Sequence, residues 1–368
     1  MSLKSLLWSS DDKTVRVLSR VLNDLEISVE HCSATDEIIR QLTRQRFEAI
    51  IVDCFNTQDA GDVLRAAKAA PINKRALSIV LVEPQVGLKG GFDMGAHFVL
   101  HKPLAVERAK SSFRAVRALM KRERRSQLRV PVQIPVECVG SGRYPARTLD
   151  ICEGGMALHF SARKSRESVL RFSFKLPGVD LKFDVWGEMA WEGEGEQAGV
   201  RFKDLTADQR NGLRDWLKNQ LPEPEPDDMA VACRVTELSV AGCYLTTSSP
   251  FPKSTRVTLS LPAKGAEMRV AGVVRIVHPE FGMGIEFVQS AVEQRNVVRR
   301  LIEALQASGE SPELQVEPEG LETAADAAPT SPLAAGDALV TMFHQKAQLP
   351  VEAFVQQMHQ RRQMQASR

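Results

Sequence analysis

Nowhere in the 368 residues do apolar side chains run for the ~18 positions that a membrane-crossing helix needs, so no membrane span is expected. The opening apolar run, Leu6 to Trp8, soon gives way to Asp11 and Asp12, too early for a secretory signal. Cysteine is scarce: Cys32, Cys54, Cys138, Cys152, Cys233 and Cys243 form no CxxC pair and no tight cluster with histidine. That argues against a disulfide framework and a structural zinc site, and suits a reducing cytoplasm. Neither charge sign is in excess, with 48 basic and 46 acidic residues, which disfavours a globally basic nucleic-acid binder. Catalytic motifs are missing too: no Gly-rich phosphate loop, no HExxH, no nucleophile elbow, and no metal-ligand spacing among the histidines. No enzyme and no required cofactor are expected.

At roughly 100–200 residues per domain, the length predicts two to four domains. Residues 1–120 alternate apolar runs (Lys4–Trp8, Ile27–His31, Ala49–Asp53, Leu77–Val82, Phe98–His101) with amphipathic stretches such as Thr14–Leu25 and Ala105–Met120. Strands alternating with helices predict a doubly wound α/β domain around a parallel sheet. From residue 130 the runs shorten and Gly and Pro separate them, as in Val130–Val139, Leu181–Trp191 and Gln197–Phe202, followed by a helical stretch at Ala207–Gln220. This pattern predicts antiparallel β structure over 121–220. Residues 221–229, beginning LPEPEPDD, read as an extended acidic linker.

The pattern then recurs. DICEGGMAL (Asp150–Leu158) is echoed by ELSVAGCYL (Glu237–Leu245), WGEMAW by AGVVRI, and GVRF by GIEF. The separation from Asp150 to Gly199 is 49 residues and from Glu237 to Gly284 is 47, so a duplicated domain is expected over 230–306. Residues 303–337 hold eight acids and no Lys or Arg, which predicts a disordered acidic linker over 307–337. Residues 338–368 read as short amphipathic helices, with Leu339, Met342 and Phe343 on one face and Val351, Phe354, Val355 and Met358 on another. They are expected to dock on the protein's own body or on a partner.

Basic charge is densest from Arg114 to Arg129, where seven basic residues meet one acid, Glu123. Within it Arg125 and Arg129 are spaced RxxxR, with Arg124 adjacent. A guanidinium fork matches phosphate oxygens and stacks on flat bases. About twenty residues on, Asp150-Ile-Cys152-Glu-Gly154-Gly155 brings a carboxylate that accepts hydrogen bonds and glycines that admit an anion close to the backbone. An isolated RxxxR reads as a solvated helix end; the turn motif in register with it favours a site. Nucleic acid is the rival ligand for the basic run, and steep salt dependence would betray it.

RxxxR followed by (D/N)xSxxG, with RVPVQIPVEC, GGMAL and GVRF around it, resembles the PilZ domain over about 100 residues, Lys121 to Gln220. The resemblance implies a six-stranded β-barrel that binds cyclic di-GMP. Arg125 and Arg129 would hold phosphates and guanine faces, Asp150 a guanine edge, and Cys152 to Gly155 the phosphates, with Arg124 adding a contact. The family's serine is Cys152 here. One neutral hydrogen bond is worth about 0.5–1.5 kcal/mol and each charge-assisted arginine contact about 1.5–3 kcal/mol, so binding is still expected. The arginines are expected on a mobile segment after a helix ending near Met120, gathered by the ligand. In the second copy, Glu237-Leu-Ser239-Val-Ala-Gly242 follows PEPEPDDM rather than arginines. That copy is expected to bind no nucleotide. No GGDEF or EAL words mark synthesis or hydrolysis of the dinucleotide.

Residues 1–120 resemble a response-regulator receiver. Asp53, ending the third apolar run, stands at the phosphoacceptor position, and Lys102-Pro103 matches the family's Lys-Pro. SSDD (Ser9–Asp12) occupies the acidic-pair loop, aligned as Ser10 and Asp11, so Mg²⁺ would be held by Asp11 and Asp53 with one carboxylate missing. The switch hydroxyl and aromatic are Val82 and Val99. The expectation is therefore a cytoplasmic bacterial signalling adaptor: a receiver-like α/β domain, two six-stranded PilZ barrels, then a disordered tail with short helices. It would bind cyclic di-GMP through the first barrel and relay it by domain rearrangement. An unknown protein partner would meet the receiver-like domain, the second barrel or the C-terminal helices. The alternative is a protein-interaction scaffold that binds no nucleotide.

Overall fold

The apolar runs of the first domain become strands, and all but the edge strand Ile27–Cys32 are almost wholly buried, as strands covered on both faces must be. These are β1 (Leu3–Trp8), β2 (Ile27–Cys32), β3 (Ala49–Asp53), β4 (Leu77–Val82) and β5 (Phe98–His101). They pair in parallel in the order β2-β1-β3-β4-β5. Between and after them lie α1 (Asp12–Asp24), α2 (Thr35–Arg44), α3 (Thr57–Ala69), α4 (Gly87–Asp93) and α5 (Val106–Ser126). The strand order reverses beside β1, which opens a crevice at the carboxyl ends of β1 and β3. The computed structural model describes residues 3–161, 167–193, 195–220, 230–261, 268–289, 292–307, 313–322, 337–345, 353–357 and 360. The expected linker at 221–229 lies outside the described residues.

The chain divides into two units, one of Met1–Glu123 with Pro226–Arg368 and the other of Arg124–Glu225. The second unit is a barrel. Strands β7 (Pro135–Val139), β8 (Arg143–Cys152), β9 (Gly155–Phe160), β10 (Val169–Lys175), β11 (Lys182–Glu192) and β12 (Gln197–Phe202) form the ring β8-β7-β10-β11-β12-β9, closed by β9 on β8. A two-residue strand β6 (Val130–Pro131) pairs with β8 outside the ring. Alternation fills the interior: Phe172, Phe174 and Phe183 point in, with Phe174 and Phe183 stacked 4.9 Å apart. Helix α6 (Ala207–Gln220) adds buried Leu213, Trp216 and Leu217, and the Trp216 indole donates to the Pro177 carbonyl at 3.0 Å.

The first unit also contains a closed barrel, built from β13 (Val231–Leu238), β14 (Gly242–Thr246), β15 (Thr255–Leu261), β16 (Met268–His278), β17 (Gly282–Phe287) and β18 (Glu313–Leu321), with helix α7 (Val292–Ala307) before the last strand. The ring order β13-β14-β17-β16-β15-β18 matches β8-β9-β12-β11-β10-β7 strand for strand. The duplication extends to irregularities. A bulge between Thr148 and Asp150 recurs between Val235 and Glu237, and one between Met189 and Trp191 recurs between Val274 and Ile276.

One strand comes from a different place. In the first barrel β7 precedes β8, whereas its counterpart β18 enters from beyond α7. Residues 313–321, expected within a disordered linker, are thus an ordered strand. Their alternation is the reason: Leu314, Val316, Pro318 and Gly320 face inward while the acids face outward. The remainder of the expected linker lies outside the described residues, apart from 307, 322 and 337. Strand β18 also meets the receiver-like domain. Arg122 on α5, 5% exposed, lies 3.7 Å from Glu319, and the Leu321 amide donates to the Glu123 carboxylate at 3.3 Å. Ser249 donates to the Ser111 carbonyl, and one apolar cluster runs from Leu18 and Phe113 into Val257 and Phe287.

Candidate functional site

In the crevice of the parallel sheet, Asp53 ends β3 with no solvent exposure. The Ser9 hydroxyl donates to its Oδ2 at 2.7 Å, and the Lys102 ammonium donates to Oδ1 at 3.1 Å and to Oδ2 at 3.3 Å. Burial pushes the Asp53 carboxyl above the usual carboxylate range, against the pull of these two donors. Lys102 also lies 3.6 Å from Asp11 and 3.3 Å from Glu83, with its ammonium 5.0 Å from the centre of the Phe55 ring. Burial opposes its charge, but the hydrogen bonds and attraction of Asp53 and Glu83 outweigh this and hold its pKa above the ordinary lysine value.

Asp11, expected beside Asp53, lies at the edge of this cluster. It caps α1, accepting from the Lys13 amide at 3.0 Å and from the Thr14 hydroxyl at 2.6 Å; the Thr14 bond is the main reason its pKa is lowered. The residue facing Asp53 is Ser9, not Ser10 or Asp11, a position that the end of β1 could have pointed to. Among the described residues no three His, Cys, Asp or Glu side chains gather to hold a metal. Mg²⁺ binds through carboxylates and retained waters, and here Asp11 is committed to a cap while a lysine ammonium already balances Asp53. This donor set does not fit the ion. Val82 and Val99 are buried under α4, where a Cβ on Gly91 would stand 2.6 Å from Val99 and 3.3 Å from Val82.

The second cluster lies on the first barrel. Helix α5 continues to Ser126, beyond the expected end near Met120, so Arg124 and Arg125 ride on its last turn and not on a mobile segment. The Gln127 and Leu128 amides bond back to the Arg124 and Arg125 carbonyls at 3.1 and 3.0 Å, a tight turn that closes the helix before Arg129. Runs rich in Arg and Lys are good helix formers, which is why the helix does not stop sooner.

Arg129 then reaches the β8–β9 turn. Its Nε donates to Asp150 Oδ1 at 2.6 Å, and its Nη1 lies 3.8 Å from Cys152 Sγ. Both ends of the ion pair are partly open to solvent, 40% and 29% exposed. Cys152 pairs with Gly155 across the turn Glu153-Gly154, and a Cβ on Gly155 would sit 2.1 Å from the Val200 carbonyl oxygen. Gly155 is thus needed first for the close approach of β9 to β12. Arg129, Asp150 and Cys152 are brought into contact, with Arg124 and Arg125 one helical turn earlier.

The second barrel keeps this framework without the charges. Ser239 accepts from the Ala241 and Gly242 amides at 3.3 and 3.1 Å, and a Cβ on Gly242 would lie 2.5 Å from the Ile285 carbonyl oxygen. Helix α8 (Ala338–Phe343) and a helical turn at 353–357 lie on this barrel: Leu339, Val340, Met342, Phe343 and Phe354 pack with Ala241, Tyr244 and Ile276. Here the C-terminal segments dock on the protein's own body.

The PilZ domain family model matches residues 123–219 and again 221–304. Solved structures similar to parts of the chain include a response regulator from Chloroflexus aurantiacus J-10-fl (21% identity, 30% of this chain and 92% of that one, TM-score 0.27). Another is the receiver domain of a sensor histidine kinase from Pseudomonas aeruginosa PAO1 with a coordinated magnesium ion (20% identity, 33% and 99% covered, TM-score 0.28). A third is the PilZ domain of CeSA from a cellulose-synthesizing bacterium (20% identity, 25% and 97% covered, TM-score 0.21). No curated protein matches the chain.

Proposed function

Since the chain carries two PilZ domains behind a receiver-like α/β domain, we propose that it is a non-enzymatic bacterial signalling adaptor whose first barrel binds cyclic di-GMP. The observation that supports this most is the Arg129–Asp150 pair at the β8–β9 turn, 2.6 Å apart and open to solvent. A buried pair would be structural; an exposed one contributes little to stability and leaves a guanidinium face and carboxylate lone pairs for a ligand. Arg124 and Arg125 supply further cations to a dianionic dinucleotide, each worth about 1.5–3 kcal/mol when charge-assisted. Asp150 accepts from a guanine edge, Cys152 lies beside Arg129, and Gly155 keeps the turn tight against the barrel. The second barrel, with Glu237 in place of Asp150 and no arginine pair before it, binds no nucleotide.

The relay runs through α5. Arg122 and Glu123 are tied to β18, and the next residues carry the ligand arginines. A ligand that holds those arginines biases whichever arrangement binds it better, by its differential affinity alone. Asp53 is the candidate phosphoacceptor, but with Ser9 in place of a metal-binding carboxylate and valines at 82 and 99 we read the receiver-like domain as a docking module for a protein partner. Calorimetry of cyclic di-GMP with the full chain tests the assignment. Arg129→Ala should weaken binding ~10–100-fold, and an unchanged affinity overturns it. If the wild type itself takes up no cyclic di-GMP, the scaffold reading stands instead.

A further inference from the structure

Outward positions on the strands of a small barrel face water and are ordinarily polar. The second barrel breaks this rule on one face. Tyr244 on β14 stands between Cys243 and Leu245, which belong to the interior cluster, so its side chain faces outward. It is nonetheless fully buried, in a separate apolar cluster with Ala241 and Ile276. What covers these residues is the tail: Leu339, Val340, Met342 and Phe343 of α8, and Phe354 beyond it. The first barrel leaves the matching end of β11, Ala190 to Glu192, exposed. A closed ring of this design therefore needs no such cover.

The cover is recognised in detail. Two glycines form notches in the face: a Cβ on Gly284 would stand 2.6 Å from the Phe343 ring, and one on Gly242 would stand 3.1 Å from Val340. Val340 and Phe343 are three residues apart, on one side of a helix. His344, the next residue, places Nε2 3.1 Å from Glu286 Oε2; Glu286 is 3% exposed and accepts from Arg275 at 2.8 Å. Phe354 packs 5.0 Å from Tyr244 and 4.7 Å from His278, and these two rings are joined by a 2.8 Å hydrogen bond from Oη to Nδ1. Asp337 caps α8 by accepting from the Leu339 and Val340 amides at 2.9 and 3.1 Å. A helix of six residues does not hold in water alone. Helix α8 takes its form on the barrel, as a helical ligand does in a groove.

We propose that this face of the second barrel is a binding groove for an amphipathic helix of a partner protein, and that α8 is its built-in, autoinhibitory occupant. The partner helix has the pattern that α8 displays: a β-branched residue three positions before an aromatic one, then a basic residue. The two glycine notches select the first pair, and the Glu286 carboxylate selects the third. Such a helix gains the groove only by displacing the tail. This inference goes beyond the nucleotide reading of the first barrel and does not rest on it.

The probe is a fluorescein-labelled peptide of residues 336–358, titrated by anisotropy against full-length chains. A tethered segment competes at an effective concentration of about 1 mM. The wild type should therefore bind the peptide at least ~10-fold more weakly than a full chain in which Val340→Asp and Phe343→Asp expel its own α8. Against that variant, Phe343→Ala in the peptide should cost at least ~10-fold, as loss of a central aromatic anchor does. His344→Glu in the peptide should weaken binding, and His344→Arg should not. Hydrogen exchange should show β13–β18 still protected in the variant. If the peptide binds the variant no better than the wild type, or binds it regardless of Phe343→Ala, the groove is overturned. Loss of protection in β13–β18 would make the tail a structural part of the barrel and overturns it equally. A wild type that sediments as a dimer and a variant that sediments as a monomer would assign the groove to the tail of a second copy, overturning the autoinhibitory reading.

Discussion

The two barrels share ring order, bulges and close-approach glycines, yet differ in where their last strand comes from and in what lies on one face. In the first, β7 precedes β8 in sequence, and Trp191, which lies against Gly199 on the outer face, is exposed. In the second, β18 arrives after α7, and Phe343 lies against Gly284, the counterpart of Gly199, with Phe354 packed on Tyr244. Gly155 and Gly242 occur in both copies because each strand presses on a neighbouring carbonyl, and so belong to the fold; Arg129 and Asp150 have no like-charged counterpart pair in the second copy, and are the residues assigned to the ligand under the proposed function.

The strongest way to break the parallel is to end the chain at residue 306. If β18 truly replaces β7, this removes buried Leu314 and Val316 together with two ladders, those to β13 and β15, whereas a chain ending at residue 336 loses only the packed tail segments and should keep protection in β13–β18. The expected outcome is loss of cooperative unfolding in the first unit, seen by hydrogen exchange, with protection in β8–β12 retained. A truncated chain that keeps full protection in β13–β17 would show the strand to be dispensable. Next in size, Phe354→Ala should destabilise the second barrel by about 3 kcal/mol, the usual cost of emptying a fully buried aromatic site, measured by urea denaturation. It should leave the affinity of the first barrel for cyclic di-GMP unchanged. Smaller still, Gly155→Ala and Gly242→Ala should each cost roughly 1–3 kcal/mol, with the first at the upper end because its Cβ meets a carbonyl oxygen at 2.1 Å rather than 2.5 Å. Equal and negligible effects in the two variants would remove the structural argument for both glycines.

Much of this was legible in the sequence. Four of the five strands of the receiver-like sheet coincide with buried apolar runs because strands covered on both faces have no reason to alternate, while edge strand β2 buries only Ile27 and Cys32. The repeated words located the duplicate turns, and RxxxR with DICEGG located a real contact between Arg129 and Asp150. The misses have physical causes too. Strand β18, ELQVEPEGL, does alternate, but Pro318 and Gly320 occupy two of its four inward positions and acids crowd the outward ones, so composition masked period. A bulge near Arg256 and Gly320 at a positive φ of 109° interrupt the strand beside Glu319, which faces Arg122. Ser9 was missed because which residue of SSDD meets Asp53 depends on where β1 stops, a boundary that local pattern fixes poorly.

The late arrival of β18 sets an order of assembly on the ribosome. The first barrel can complete once α6 has emerged, since every strand of its ring lies upstream. The sheet domain finishes α5 early, but the partner that seals Arg122 and Glu123 is among the last ordered segments to be synthesised. Between the synthesis of α6 and that of β18 the nascent chain should therefore hold a finished first barrel flanked by two halves of a unit still waiting for its closing strand.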